Sequence, residues 1–255
     1  MSRAKLKIAQ KLKLKKFRAE LNLFVAEGLR LCEMAADFSQ VEFGFFTADF
    51  LKSARAEKLL GRLEKIAPMY EISERDFEKI SDTKTPQGVL LVVRQKFSAL
   101  EDVLKKFLVV AMDAVHDAGN VGTILRTAEA FGCGVVLLED SAEIFNPKVV
   151  RASMGAIFTL PIIKLSRQEF LRAMKFSGVE VLAAALDTSA EFYFNHDFTK
   201  KSAVVFGSEA SGVSAEIFGA AEKIFIPMSG SAESLNVATS AAIIISEAAR
   251  QRAKI

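Results

Sequence analysis

Between Gly207 and Ala249 two glycine-bearing turns are joined to one apolar helix, and this stretch limits what the chain can fold into more than any other. It reads Gly207-Ser-Glu209-Ala-Ser-Gly212, then Ile226-Pro-Met228-Ser-Gly230-Ser-Ala-Glu-Ser234-Leu235-Asn236-Val237, then Ala238 to Ala249. Val204-Val-Phe206 runs into Gly207, and Ile224-Phe-Ile226 runs into Pro227. Short aliphatic and aromatic runs bounded by turn residues predict buried strands that deliver loops at their C-terminal ends. Ligands of open α/β sheets bind beyond those ends, so two such loops side by side predict one pocket. Gly207, Gly212 and Gly230 would let main-chain atoms approach a ligand with no Cβ in the way, although turn formation alone is the plainer reading of any one of them.

A third element of the same kind lies upstream. The apolar run Phe107 to Met112 leads into Asp113-Ala-Val-His116-Asp117-Ala-Gly-Asn120-Val-Gly122-Thr-Ile-Leu-Arg126-Thr127, followed by Ala128-Glu-Ala-Phe131-Gly132. Asn120 is the expected N-cap, Ile124, Leu125, Ala128 and Phe131 keep helical spacing, and Gly132 is the expected stop. The ordered set resembles the three motifs of the SpoU (TrmH-like) RNA 2′-O-ribose methyltransferases, a branch of the SPOUT class. Motif one is Asn120-x-Gly122-x-x-x-Arg126-Thr127, motif two Gly207-x-Glu209-x-x-Gly212, and motif three Ile226-Pro227-Met228-x-Gly230 with Ser234-Leu235-Asn236-Val237. Ala118 departs from the Pro common before the Asn loop, which leaves that loop less rigid. The resemblance implies S-adenosylmethionine as cofactor, held around Gly207, Ile226, Met228, Gly230 and Leu235. It further implies a catalytic set of Arg126, Asn120, Glu209, Ser234 and Asn236, a deep C-terminal trefoil knot, and a homodimer with the helix Val237 to Ala249 at its interface. Pattern alone would argue against a knot.

Charge is informative by its distribution. The net formal charge is only +3 over 255 residues, yet Arg3, Lys5, Lys7, Lys11, Lys13, Lys15, Lys16 and Arg18 all precede the first acid, Glu20. A block of this kind suits phosphate neutralisation, which makes Lys11, Lys13, Lys15, Lys16 and Arg18 candidate RNA contacts, with Arg151 on a later basic helix. A solvated helix face is the plainer alternative. Two cysteines, Cys32 and Cys133, are too few for a disulfide framework or a zinc site, and no metal is expected. With no signal-type apolar region and no run long enough to span a membrane, the expectation is a soluble, cytoplasmic protein.

In chain order, Lys5 to Ala36 reads as helix broken near Asn22 and at Gly28. Val41 to Phe46 reads as strand, Ser53 to Ile66 as helix, Met69 to Ile72 as strand, Ser73 as a helix start and Gly88 to Val93 as strand. Alternation predicts a small α/β substrate-binding domain over residues 1–97, a linker over 98–106 and a parallel-sheet catalytic domain over 107–255. Strands at Gly134 to Leu138, Val179 to Ala184 and Ala203 to Phe206, with helices at Pro147 to Ala156 and Arg167 to Phe176, make the second domain a doubly wound α/β sheet. Phe24-Val-Ala-Glu27-Gly28 and Thr85-Pro86-Gln87-Gly88-Val89 extend the resemblance into the first domain.

Methyl transfer from a sulfonium needs alignment more than covalent help, which leaves the ribose 2′-hydroxyl proton as the demanding step. Guanidinium keeps its proton in ordinary protein settings, so Arg126 is read as a clamp on phosphate and the 2′-oxygen, with Glu209 as the proton acceptor and His116 as a weaker candidate. A non-catalytic RNA-binding protein of the same fold is the alternative; loss of Arg126, Glu209 or Asn236 would mark it, and all three are present. A dinucleotide-dependent oxidoreductase would want Gly-x-Gly-x-x-Gly after its first strand, and Gly119-Asn-Val-Gly122 lacks that spacing. A separate N-terminal domain suits a structured target, which favours ribosomal over transfer RNA.

Overall fold

The aliphatic runs form two separate sheets. In this computed structural model, which describes residues 2–187 and 190–253, the elements in order are α1 (Ser2–Lys11), α2 (Lys15–Leu21), β1 (Leu23–Glu27), α3 (Leu29–Phe38), β2 (Val41–Phe46), α4 (Ala54–Leu63), β3 (Met69–Glu71), α5 (Glu74–Ile80), β4 (Val89–Arg94), α6 (Leu100–Leu104) and β5 (Leu108–Met112). They continue with α7 (Ala118–Ala130), β6 (Gly134–Leu137), α8 (Pro147–Ala152), β7 (Ile162–Lys164), α9 (Arg167–Phe176), β8 (Glu180–Ala184), β9 (Glu191–Phe192), β10 (Ser202–Phe206), α10 (Ala215–Ala220), β11 (Glu222–Phe225) and α11 (Val237–Arg252). Residues 1–96 with 143–159 make one compact unit, and residues 97–142 with 160–255 the other.

In the first unit the sheet order is β1-β4-β2-β3, antiparallel except for the β2/β3 pair. Its core joins Ala9 and Leu12 from the basic N-terminal segment to Phe43, Phe45, Phe77, Leu90 and Val92. Expected helix over Leu23 to Glu27 is instead strand β1. Asn22 turns left-handed (φ 54°) and ends α2, and the next five residues pair with β4 from Leu23↔Arg94 to Glu27↔Leu90. Cross-strand pairing of Leu, Phe and Val outweighs their helix-compatible spacing. Ser73 caps α5 as expected, its side chain accepting from the Asp76 amide.

Arg18 is a second correction. Expected on a phosphate-binding face, it is 2% exposed. Its Nη1 donates to the carbonyls of Leu12 (2.7 Å) and Lys13 (2.9 Å), and its Nε and Nη2 pair with the Glu143 carboxylate. The guanidinium is thus consumed in holding the α1–α2 turn against the segment that contains α8, where Phe145 and Phe158 pack their rings on Phe24 at 4.9 and 6.0 Å. A buried arginine persists only when paired in this way.

The second unit holds a seven-stranded sheet in the order β7-β6-β5-β10-β8-β11-β9, parallel at every pairing. The expected doubly wound parallel sheet is therefore present; β7, β9 and α10 had no clear signal, β9 being two exposed residues. Ser98 to Lys106, read as a linker, contains α6, whose Val103 is fully buried; a Cβ at Gly134 would meet the Val103 carbonyl at 2.6 Å. α11 packs on α7, and its Ala238, Ala241 and Ala248 are buried. Among the described residues no helix is long and apolar enough to cross a membrane.

Candidate active site

The C-terminal ends of β5 and β10 are adjacent in the sheet, and the loops leaving them are tied by hydrogen bonds. After β10 the chain turns at Gly207, and Ser208 and Gly212 exchange both main-chain hydrogen bonds, at 3.0 and 2.9 Å. A Cβ on Gly207 would lie 2.0 to 2.2 Å from main-chain atoms of Gly212 and Val213. The loop folding back on itself requires a glycine here whether or not a ligand approaches it. Ser208 Oγ closes the turn further, accepting from the Ser211 amide at 3.0 Å. Asp113, fully buried beyond β5, anchors the loop's exit: its carboxylate accepts from the Ser214 amide at 2.8 Å and from Arg167 Nε at 2.8 Å. Desolvation opposes the charge on Arg167, but Asp113 and Glu139 together raise its pKa above the ordinary value.

Three expected site residues, one from each motif, meet in a single relay. Asn120 Nδ2 donates to Glu209 Oε1 at 2.5 Å, and Asn236 Nδ2 donates to Asn120 Oδ1 at 3.0 Å. Asn236 Oδ1 accepts from the Ala238 and Thr239 amides, capping α11. Each amide orientation follows from its neighbour. The α11 amides can only donate, so Asn236 gives them its oxygen and has its nitrogen left for Asn120, whose own nitrogen then faces an acceptor-only carboxylate. Asn120 is not the N-cap of α7. Asp117 is, accepting from the Asn120 amide at 2.9 Å, and the helix starts at Ala118. One turn of extra helix is what frees the Asn120 side chain for the relay.

A cleft of about 500 Å³ opens beside these loops. Of the expected residues, Gly207, Glu209, Ile226, Met228, Ser234, Leu235 and Asn236 line it, whereas Gly230 and Asn120 do not. Ala184, the last residue of β8, and Ala185 to Asp187 beyond it also line the cleft and were missed, although the position of a ligand at strand C-termini was signal enough to include them. Among the described residues, the charged ones in the lining are Asp187 and Glu209. Walls of main chain, Ile226, Met228, Leu235 and Phe218, with two acids and no cation, suit an apolar-bodied ligand carrying positive charge and repel phosphates.

Arg126 stands apart. It is exposed on α7, forms no hydrogen bond or ion pair among the described residues, and does not line the cleft. Six residues beyond Asn120, it lies about 9 Å further along the helix and leaves on another side. His116 is exposed and lines no part of the cleft either.

Among the other candidate cations, Lys13 Nζ donates to the Ser81 carbonyl at 2.6 Å and Arg151 pairs with Asp82 at 2.8 Å. Lys11 sits 5.0 Å from the Phe17 ring centre with its charge exposed, and Lys15 and Lys16 are exposed. Both thiols are free and buried; desolvation pushes the Cys133 pKa up to about 12 and that of Cys32 higher still.

Residues 107–246 match the SpoU rRNA Methylase family, and residues 3–91 match the MRM3-like substrate binding domain. The chain is 32% identical, over 94% of its length and 94% of the relative's, to the 23S rRNA (guanosine(2553)-2'-O)-methyltransferase RlmP of Bacillus subtilis strain 168. Among solved structures it is similar to an RNA methyltransferase of the TrmH family from Porphyromonas gingivalis, with TM-score 0.84, 34% identity and 96% and 97% of the two chains covered. An AdoMet-bound rRNA methyltransferase from Sinorhizobium meliloti superposes with TM-score 0.86 at 31% identity, covering 96% and 94%. The three motifs, the relay that joins them and the parallel sheet that presents them agree with these matches: the chain belongs to the SpoU rRNA methylase family.

Proposed function

We infer that this protein methylates a ribose 2′-hydroxyl of ribosomal RNA with S-adenosylmethionine as donor. The observation that carries the reading is the cleft itself, in which the motif-two and motif-three loops meet beside the Glu209–Asn120–Asn236 relay and the charges among the described lining residues are acidic. S-adenosylmethionine, when bound, supplies a methyl group made electrophilic by its sulfonium. Main-chain atoms of Gly207, Ile226, Met228 and Leu235 would hold it, and the absence of cations from the lining fits a positively charged donor. Glu209 lines the cleft and accepts from Asn120, which supports its carboxylate as the acceptor of the ribose proton. Ser234 and Asn236 offer neutral hydrogen bonds to orient the ribose. Arg126, exposed and with no partner among the described residues, is free to grip a phosphate of the incoming RNA and the 2′-oxygen beside it. Ribosomal RNA is preferred as substrate because the RlmP relative is named for 23S rRNA. The decisive measurement is transfer of labelled methyl to ribosomal RNA lacking the modification, followed by mapping of alkali-resistant linkages; transfer to a base, or to no RNA, sinks the reading.

The first unit is proposed to contact the RNA through the exposed ammonium groups of Lys11, Lys15 and Lys16, since Lys13, Arg18 and Arg151 are occupied within the chain. Replacing those three lysines by Gln should weaken RNA binding and reduce the slope of log K against log[salt] by about 2 to 3, with single-turnover methylation on saturating RNA unaltered. An unchanged slope would place the RNA elsewhere. A cytoplasmic location, the trefoil knot and a homodimer belong to the same proposal. The dimer is supported by half-exposed Ala242 and Ile243 on the outer side of α11, beside Tyr193. A monomeric mass by light scattering at micromolar concentration would refute it.

A further inference from the structure

At the opposite end of the parallel sheet from the cleft, the ring of His196 is buried with only 7% of its side chain exposed, and its Nε2 has no hydrogen-bond partner among the described residues. An imidazole nitrogen stripped of water and left unpaired is unfavourable and needs a reason. Three carboxylates surround it. Glu180 Oε2 lies 3.7 Å from Nε2, too far for a hydrogen bond, and Glu191 Oε2 lies 3.9 Å from Nδ1. Glu222 completes the group: one ligand atom from each of Glu180, His196 and Glu222 lies within 4.8 Å of the other two. Glu180 opens β8 and Glu222 opens β11, paired neighbours in the sheet; Glu222 stands opposite Leu182, and Glu180, two residues before Leu182, lies on the same face as a diagonal neighbour. His196 reaches them from the segment between β9 and β10.

We propose that Glu180, His196 and Glu222 hold one divalent transition-metal cation of the zinc or manganese class. One imidazole and two carboxylates are a donor set for these ions, and three protein ligands leave positions for water. Metal-to-ligand distances of about 2.0 to 2.2 Å are reached by small rotations of the two glutamates, neither of which is fully buried. Glu191 stands on the Nδ1 side, where a carboxylate orients a ligating histidine and directs its Nε2 lone pair at the ion. The site would fasten the segment after β9 to the sheet, and that segment also grips the end of α11, because Gln251 donates to the His196 carbonyl at 3.0 Å and Arg252 Nε to the Phe198 carbonyl at 2.6 Å. α11 begins at Asn236 in the cleft, so the ion would brace the far end of the helix that motif three caps. The ligands lie 16 and 26 residues apart in the sequence, a spacing that forms no short motif.

The test uses the full tag-free chain, stripped with chelator and titrated with Zn²⁺ and separately with Mn²⁺ by calorimetry. One ion per chain is expected, together with a rise in the unfolding midpoint. Glu222→Gln changes an exposed side chain and should keep the fold while weakening binding by about tenfold or more, and Glu191→Gln should weaken it less severely. Co²⁺ in place of Zn²⁺ should show ligand-field bands without a thiolate charge-transfer band. No bound ion at micromolar metal, equal binding by Glu222→Gln, or a thiolate band pointing to Cys32 or Cys133 would each overturn the proposal.

Discussion

Arg126→Ala is expected to slow methylation by on the order of a hundredfold or more, the scale of losing a preorganised charge at a reacting centre, while S-adenosylmethionine affinity stays near the parental value. The separation follows from placement. Arg126 lies outside the cleft lining and is exposed with no partner among the described residues, so its removal leaves no buried charge unpaired and touches none of the cofactor-facing loops. Fold stability should barely change, as for other exposed sites free of special contacts. Arg126→Lys should rescue poorly, because an ammonium keeps the charge and loses the planar fork that can hold phosphate and 2′-oxygen together. Single-turnover rates on saturating RNA, paired with calorimetric cofactor titration, read both quantities. Parental rates in Arg126→Lys, or cofactor binding lost as completely as activity in Arg126→Ala, would refute the role.

Gly207 is expected to tolerate no side chain at all. Even alanine would place its Cβ within 2.0 to 2.2 Å of the Gly212 carbonyl group and the Val213 nitrogen, and a collision with main chain is not relieved by a rotamer change. The paired hydrogen bonds between Ser208 and Gly212 would have to open, carrying Glu209 out of reach of Asn120. Gly207→Ala should therefore lose stability by about 3 kcal/mol or more and lose detectable cofactor binding. Gly230→Ala is the informative contrast: its added Cβ meets nothing within 4 Å, so affinity should stay within about threefold. A folded Gly207→Ala protein that binds S-adenosylmethionine normally would remove motif two from the cofactor site.

How much of this was legible in the residues depended on whether the physics was local. Runs such as Leu108–Met112 and Ser202–Phe206 are buried on both faces of a parallel sheet and read as uninterrupted apolar segments. The loops that follow them carry the motifs, so the position of the cleft beyond those strands was readable from the sequence. Local signals also sufficed for the Ser73 cap and the span of α9, where Ser166 and Glu169 form a reciprocal cap.

What the residues could not disclose was set by partners distant in sequence. Leu23–Glu27 is a strand because β4, more than sixty residues later, lies beside it. Arg18 is structural because Glu143, 125 residues away, accepts its guanidinium; charge counted along the chain cannot distinguish that from a phosphate contact. Gly207 reads in the sequence as a glycine at which a ligand could approach, and its own loop also demands it, which only interatomic distance can reveal. Asn120 looked like a cap, and the role passed to Asp117 once Glu209 and Asn236 were in place to take its amide. Composition and periodicity thus determined the layers and the chemistry available to them. Long-range pairing, in which a side chain satisfies whichever buried partner the fold brings to it, decided which of those residues each task would receive.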